Sequence, residues 1–589
     1  MNTIYIFKRI ALITIAVSIF SSCNDAFLDR YPIAEISPEN SFKTAKDLEL
    51  YTNGFYEKLP TINDIIRGDN TSDNVLYSNV PMEQRSAERI IPSDAGSGGW
   101  SWSNLRQINL FFDNYHRCED LNARAKFEGV ARFFRAWFYF QKLQRFGDVP
   151  WYETVIQTGD NDLLYKKKDS REFIVNKIID DLEIAIENLE AKRSSDKITK
   201  WTALSFLSRV CLYEGTYRKY HSESGLPDSD KLLEKAYKAA DRVIKESGYK
   251  LYSTGNINED YRDLFASDNL KEDEVILGRR YSIELNKMHS TNYYYLSKTQ
   301  HDVGLTKSLI NSYLMSGSGI AFTSTSGYTT KGFYEEMQNR DPRLAQTVRS
   351  YNYRRIGESN VSLPDFDATM TGYQVSKFVS TTNQDGNEAS YQDAIIIRYA
   401  EVLLNFAEAK AELGIIAQGD IDQTIKLLRA RVGMPNLNVT NANESTDPIL
   451  EKEYSNVGGA NKGVILEIRR ERRIELALEG FRYDDLMRWK LGKLLEPHFK
   501  GVYFSGLGEF DLDGDGVNDI LLYEETPGNS NAKQKIKIGG VIQLSEGSEG
   551  NLVGFLNINK KFWEERDYLY PIPSGDILLN KNLLQNPKW

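Results

Sequence analysis

Helical periodicity recurs at both ends of this chain, and it is the strongest constraint on the fold. Val130 to Phe146 (VARFFRAWFYFQKLQRF) is apolar and helix-length, and GDVP ends it with Gly147 and Pro150. Glu172 to Glu190 is amphipathic, with Ile174, Ile178, Leu182, Ala185 and Leu189 on one stripe. Thr199 to Tyr217 and Asp230 to Glu246 form a further pair. Arg398 to Leu413 places Val402, Phe406, Ala409 and Leu413 on one face, with Gly414 as a C-cap, and Ile421 to Val432 answers it.

Small residues (Ala203, Ser208, Ala239, Ala407 and Ala409) fall where such helices would cross closely. The arrangement resembles tetratricopeptide helix pairs, without a strict period of about 34 residues. The segment from about 250 to 395 differs, being rich in Tyr, Ser, Thr, Asn and Gly with short strand-like runs such as Asp393 to Arg398 (DAIIIR). The expected fold is mainly α: helix pairs over 46–250 and 396–495 form a scaffold that carries a long loop-rich, partly β insertion. Loop-rich segments at about 60–105, 250–395 and 500–565 would form the ligand side.

The N-terminus reads as an address. Lys8 and Arg9 precede an apolar run, Ile10 to Phe20, too short to span a bilayer as a helix. Ser21, Ser22 and Cys23 follow and resemble a bacterial lipobox, although Phe20 stands where that pattern usually has Leu. Residues 1–22 are therefore expected to be a signal peptide, Cys23 the lipid-bearing residue, 23–45 a tether and 23–589 one domain. Acyl chains contribute about 0.8 kcal/mol per buried methylene, so several on one Cys anchor firmly. Cys211 lies in an apolar helical run and reads as a buried free thiol rather than a partner for Cys118.

Charge and motifs exclude several function classes. The formal net charge is −10, which argues against a general polyanion binder. The five histidines lack metal-ligand spacing, and no HExxH, Walker loop or GxSxG elbow occurs. Gly506 and Gly508 are half of a dinucleotide fingerprint without its strand and helix. Aromatics make up 12% of the chain, more than a core needs, and 34 of them are Tyr, a residue suited to wet binding surfaces.

One stretch, FDLDGDGVNDILLYEE, points to a hard cation. Asp511, Asp513, Asp515 and Asp519 fall at alternate positions of a tight loop, with Gly516 at the sharp turn and the Val517 carbonyl as a further donor. Ca²⁺ wants six to eight oxygens, which such a loop begins to supply. Leu522 stands where an EF-hand has its bidentate Glu, so Glu524, Glu525 or a distant residue would complete the set. The expectation is a structural Ca²⁺ site, and the alternative is an Asp/Gly turn without metal.

Glu467 to Lys490 (EIRRERRIELALEGFRYDDLMRWK) holds six arginines. On a helix, Glu467, Glu471, Glu475 and Glu479 form one stripe, Arg470 lies near Glu467, and Arg472 near Glu475. Asp484 and Asp485 meet Arg488 on a second short helix. The charges nearly cancel, which removes a nucleic-acid footprint. Exposed helix pairs contribute only about 0.2–0.5 kcal/mol each. Buried, bidentate Arg–carboxylate pairs that fix helix crossings explain the stretch better.

Several stretches together resemble the SusD/RagB family of outer-membrane nutrient-binding lipoproteins. They are CNDAFLDRYP, ARFFRAWFYFQKLQRFGDVPW, KWTALSFLSRVCLYEG, NRDPRL, IIIRYAEVLLNFAEAKAELG, LLRARVGMP, RRERRIELALEGFRYDDLMRW and YLYPIPSGDILLNKNLLQNPKW, in that order over 23–589. The resemblance implies a cell-surface lipoprotein, anchored in the outer membrane by lipid alone. It would bind glycans without chemistry and serve a SusC-type TonB-dependent transporter. A peptide ligand, or a lipid-anchored glycoside hydrolase, are the competing readings. Candidate ligand residues are aromatic and polar side chains on loops: Trp100 and Trp102 in GSGGWSWSN, Asp69, Asn70, Asp73 and Asn74 in RGDNTSDN, and Tyr293, Tyr294 and Tyr295. Trp102 also opens a helix-like run and reads as core, and the three tyrosines must divide between faces.

Overall fold

The apolar stripes close on one another in series. The computed structural model describes residues 41–85, 88–299 and 303–589, so Cys23 and the N-terminal address lie outside the described residues. The helices that matter for the site are α1 (Ser103–Asn114), α2 (Leu121–Phe146), α3 (Arg171–Asn188), α4 (Lys200–Tyr220), α5 (Ser229–Glu246), α6 (Tyr399–Glu412), α7 (Lys462–Glu475) and α8 (Arg482–Arg488). Side chains start them: Asp120 accepts from the first backbone amides of α2, Ser170 caps α3, and Thr199 forms a capping box with Thr202 at α4. Gly147, at φ +70°, ends α2.

From α2 to α7 each helix packs on the next. The stripe residues Ile174, Ile178, Leu182 and Ala185 of α3 are fully buried. Trp137 of α2 stacks on Phe206 of α4 with centroids 4.7 Å apart. Burying side chains of this size contributes about 1.5–3 kcal/mol each. Ala203, Ser208, Ala407 and Ala409 are all without exposure at the crossings. Gly215 shows why: a Cβ there would sit 2.9 Å from Leu233 Cγ and 3.1 Å from its backbone nitrogen, so a larger residue forces α5 away from α4. One buried apolar cluster runs from Phe42 to Leu583. Cys118 and Cys211 are both buried free thiols, and burial pushes Cys211 up to about 12. Among the described residues no helix is long and apolar enough to cross a membrane.

The middle segment is pinned at its two ends by one antiparallel strand pair, Val275–Arg279 with Ala394–Arg398. Arg209 of α4 donates to the Ile396 carbonyl (3.0 Å) and fastens this pair to the scaffold. The stretch 500–565 holds more sheet than its composition suggested. Lys500–Phe504, Gly550–Gly554 and Ile542–Leu544 form one three-stranded sheet. Gly508–Phe510, Ile520–Tyr523 and Gln534–Lys537 form a second, whose last pair is parallel with Ile520 opposite Gln534. These strands are three to five residues long, too short for alternation to stand out in sequence.

The arginine-rich helix α7 faces inward on all sides. Arg469, Arg470, Glu471, Arg472, Arg473 and Glu475 are buried. Most of their partners lie on other elements. Arg469 reaches Glu412 of α6 (3.0 Å), Arg470 reaches Asp447, and Arg472 turns to Asp485 of α8 (2.8 Å) rather than along its own helix to Glu475. Glu471 accepts from Arg343 (2.6 Å) and Arg429 (2.8 Å), while Glu475 accepts from Arg431 (2.6 Å), Arg398 (2.8 Å) and Arg343 (2.9 Å). Arg488 pairs with Asp485 (2.9 Å) and with Glu408; Asp484 takes an amide proton from Gln144 (2.7 Å) instead.

Candidate functional site

The loop polar residues proposed for ligand belong to this internal network. Asp73 accepts from Arg482 Nε (2.7 Å) and Nη2 (2.9 Å) and from Arg473 (3.1 Å). Burial alone would raise its carboxyl, but the two guanidinium groups outweigh burial and hold it at about 2. Asn74 donates to Asp69 (2.9 Å) and accepts from Arg473 Nε (2.8 Å), and Asp69 accepts from the Leu478 amide (2.9 Å). Asp69, Asn70, Asp73 and Asn74 are all buried. They tie the N-terminal segment to α7 and present nothing to a ligand at the surface. Their sequence looked like a polar loop because their arginine partners lie some 400 residues away.

Tyr293, Tyr294 and Tyr295 lie on a short helix, Thr291–Leu296, that packs against this same loop. Asn70 donates to the Tyr294 hydroxyl (2.7 Å), the Arg67 guanidinium lies over the Tyr294 ring (4.7 Å), and the Tyr295 hydroxyl donates to the Ile66 carbonyl (3.1 Å). Tyr294 and Tyr295 are buried, which removes them from the ligand set, and Tyr293 is half-buried. The structure thus brings two predicted groups together, as packing.

The tryptophans separate into two roles. Trp100 is 2% exposed and meets Phe146 edge-on at 4.8 Å. Lys142 and Arg145 of α2 hold its loop by donating to the carbonyls of Gly99 (2.5 Å) and Gly98 (3.1 Å). Trp100 is therefore core. Trp102, half-buried at the start of α1, meets Tyr152 edge-on at 5.5 Å with rings 84° apart. The two rings wall an open cleft of about 510 Å³, with Arg106, Asn109, Thr154 and Leu164 around them.

The polar groups of this cleft are positioned from behind. Arg106 donates to the Ile156 carbonyl (2.8 Å), and Asn109 Nδ2 donates to the carbonyls of Tyr152 (3.1 Å) and Thr154 (3.0 Å). Asn109 Oδ1 is buried and accepts no hydrogen bond among the described residues, a state that costs about 1–3 kcal/mol. Burial pushes the Tyr152 hydroxyl up to about 12, so it remains a neutral donor. Crossed aromatic faces suit the C–H face of a sugar ring, and the exposed Arg106 guanidinium suits its hydroxyls. Arg106, Asn109 and Tyr152 were not read from sequence. Tyr152 lies 50 residues after Trp102, and no periodic pattern links them.

The acidic loop is the turn of a β-hairpin between Gly508–Phe510 and Ile520–Tyr523, and no helices flank it. Carboxylate oxygens of Asp511, Asp513 and Asp519 lie within 4.8 Å of one another. Asp511 accepts from the amides of Gly514 (2.7 Å), Gly516 (2.8 Å) and Asp513 (3.0 Å). Asp515 accepts from the Val517 amide (2.7 Å) and does not join the three, and the Val517 side chain is exposed. Burial, followed by its acidic neighbours, raises the Asp513 carboxyl. Lys533, 3.8 Å from Asp519, is the cation nearest the cluster among the described ion pairs. Three converging hard oxygens with this excess of negative charge fit a Ca²⁺ ion in part.

A model of the SusD family matches residues 273–589, over half of the chain. The chain belongs to the SusD family. A second family model, described as starch-binding and associating with the outer membrane, matches residues 26–212, which include the Trp102 cleft. The SusD-like protein P2 of Formosa agariphila is 24% identical over 80% of this chain and 88% of its own length. A SusD-like protein of Bacteroides ovatus is 25% identical over 49% of this chain and 52% of its own. Among solved structures, a SusD-like protein of Bacteroides fragilis aligns with a TM-score of 0.69 at 23% identity, covering 95% of this chain and all of its own. A second from that organism, described as a SusD-like carbohydrate binding protein, aligns with a TM-score of 0.67 at 22% identity over 92% of this chain and 99% of its own. The SusD family fold is therefore the fold of this chain, with helix pairs as scaffold and sheet insertions on it.

Proposed function

We propose that this chain is a cell-surface lipoprotein that binds oligosaccharides without turning them over and delivers them to a SusC-type TonB-dependent transporter of the outer membrane. The observation that carries the reading is the Trp102–Tyr152 cleft with the exposed Arg106 guanidinium beside it. The description of one matching family model as starch-binding, and of a related structure as carbohydrate-binding, supports the ligand class. An open cleft buries its ligand only partly, so affinities lie in the micromolar to millimolar range, about −8 to −4 kcal/mol. Calorimetry against a glycan panel and a peptide panel, with product analysis of each mixture, tests this. Trp102→Ala weakens glycan binding about 5- to 150-fold, the worth of one stacking platform. Binding of peptides alone reassigns the same role to the peptide branch, and shortened glycans indicate a hydrolase.

Anchoring is proposed through Cys23, on the lipobox-like SSC that precedes the tether. The mature chain then begins at a lipid-modified Cys23, and Cys23→Ala leaves the protein unanchored. Intact-mass measurement that finds an unmodified N-terminus at another residue rules this out.

A structural Ca²⁺ on Asp511, Asp513 and Asp519 completes the proposal. When bound, it would offset two of the three carboxylate charges and lock the hairpin turn. Calcium at about 100 times its dissociation constant stabilises the native state by about 2.7 kcal/mol. A melt in calcium therefore lies above one in chelator, and Asp513→Ala closes the gap. No gap in the unmodified protein, with no metal by elemental analysis, removes the ion.

A further inference from the structure

A second cleft lies on the sheet side of the molecule and shares no residue with the first. It measures about 410 Å³ and is walled by Tyr334, Tyr503 and Phe510, with Thr330, Glu335 and Ser505 at its rim. Strand alternation in Lys500–Phe504 explains Tyr503: Val502 and Phe504 point inward and are buried, so Tyr503 between them faces out and is half-buried. Tyr334 is half-buried too and braced edge-on by Tyr351 at 5.1 Å. Phe510 is fixed against Phe504 at 4.9 Å. Ring contacts brace Tyr334 and Phe510, as a stacking platform requires.

The acidic hairpin turn closes the cleft. A Cβ at Gly514 would lie 2.6 Å from the Tyr334 ring, and Gly514 has φ +79°, so the bare backbone of the turn rests on the ring. Only glycine meets both demands. Among the described residues, neither the Tyr334 nor the Tyr503 hydroxyl makes a hydrogen bond to protein. Two tyrosine rings with free hydroxyls, beside the Thr330 and Ser505 hydroxyls, offer apolar faces and neutral donors in one space. Charge narrows the ligand further. Glu335, outside the acidic turn, lines the cleft and no Lys or Arg does, so uronate or sulfate groups meet like charge. The Trp102 cleft, by contrast, has Arg106.

We propose that the Tyr334–Tyr503 cleft is a second carbohydrate subsite, selective for uncharged sugars. The inference rests on the glycan-binding reading above and assigns it an additional surface. Its test uses the full mature chain with maltoheptaose, xylohexaose and mannohexaose as neutral probes, and oligogalacturonate and heparin oligosaccharides as anionic ones. In Trp102→Ala, a neutral probe retains residual binding, and adding Tyr334→Ala lowers that residual about 5- to 150-fold. Tyr334→Phe keeps the ring and loses only the hydroxyl, so it weakens the residual about 2- to 10-fold. Hydrogen exchange on the unmodified chain removes dependence on how the variants fold: the neutral probe slows exchange in 329–338 and 503–514. Neutral-probe binding that vanishes with Trp102→Ala alone, with no protection in those segments, overturns the second subsite and leaves the first reading intact. Tighter residual binding of the anionic probes overturns the selectivity. No binding of any probe by the unmodified chain overturns both.

Discussion

Glu475→Gln lowers the stability of the folded chain by about 3–5 kcal/mol, the loss expected when one partner of a buried ion network is removed. The Glu475 carboxylate is fully buried and accepts from Arg431, Arg398 and Arg343 at 2.6–2.9 Å. The amide keeps the shape but withdraws the charge, and it places an N–H donor among guanidinium donors. Three arginines are then left with an incomplete set of carboxylates in a dry interior. The measurement is the urea midpoint, with the m-value checked for constancy. A loss below about 1 kcal/mol would show that the network is as easily relaxed as a surface pair. Arg431→Met added to Glu475→Gln recovers part of the loss, because it removes a cation that the first change stranded.

The same network sets the acid limb of stability. Burial by itself would raise the Glu475 carboxyl, but Arg431, Arg398 and Arg343 hold it well below its ordinary 4.5. A depressed carboxylate stabilises the fold above its unfolded pKa, and that contribution is lost as pH falls through the folded value. Asp73, held at about 2 against an ordinary 3.8, behaves in the same way. Wild-type stability therefore falls between about pH 4.5 and pH 2. Glu475→Gln has a shallower fall over that window, since it lacks one of the titrating groups.

Trp100→Ala lowers stability by about 3–5 kcal/mol, the usual range for emptying a buried indole site. Its ring is packed on Phe146 and enclosed by a loop that Lys142 and Arg145 hold to α2. Trp102→Ala, two residues on, acts on the proposed glycan cleft and leaves most of the core contacts of its neighbour in place. Thermal melts and glycan titrations of the two variants, run side by side, separate the roles. An unchanged melt in Trp100→Ala together with lost glycan binding would exchange them.

The contrast shows where sequence reading succeeds. The α3 stripe and the small residues at helix crossings repeat at a period set by the helix itself, so they are visible in a single chain. Trp100 and Trp102 sit in the same run of Gly and Ser, and nothing local distinguishes the one that turns inward. Asp69 to Asn74 have the composition of a solvated loop, yet their burial is decided by Arg473 and Arg482. Tyr152 and Asn109 join Trp102 only once α1 and the segment after α2 have packed. The acidic loop was legible as a turn of carboxylates because its contacts are local. That Asp515 turns to the Val517 amide was not, since its residue type and spacing match its neighbours. Except at Asp515, whose partner is local, what sequence does not show is an environment supplied by distant chain.

The pairing of Asp73 with Arg473 has a consequence for the order of assembly. Four hundred residues separate the two, and closing such a loop precedes the contacts that reward it. As the chain emerges from its N-terminus, the first helix pairs can pack locally. The loop at 67–74 cannot bury its carboxylates until α7 arrives in the last quarter of the polypeptide. An N-terminal fragment that stops short of Lys462 therefore exposes charged and apolar surface together, a state that invites proteolysis and aggregation. The arginine helix acts as a late keystone, and the loop at 67–74 stays open until the last quarter of the chain supplies it.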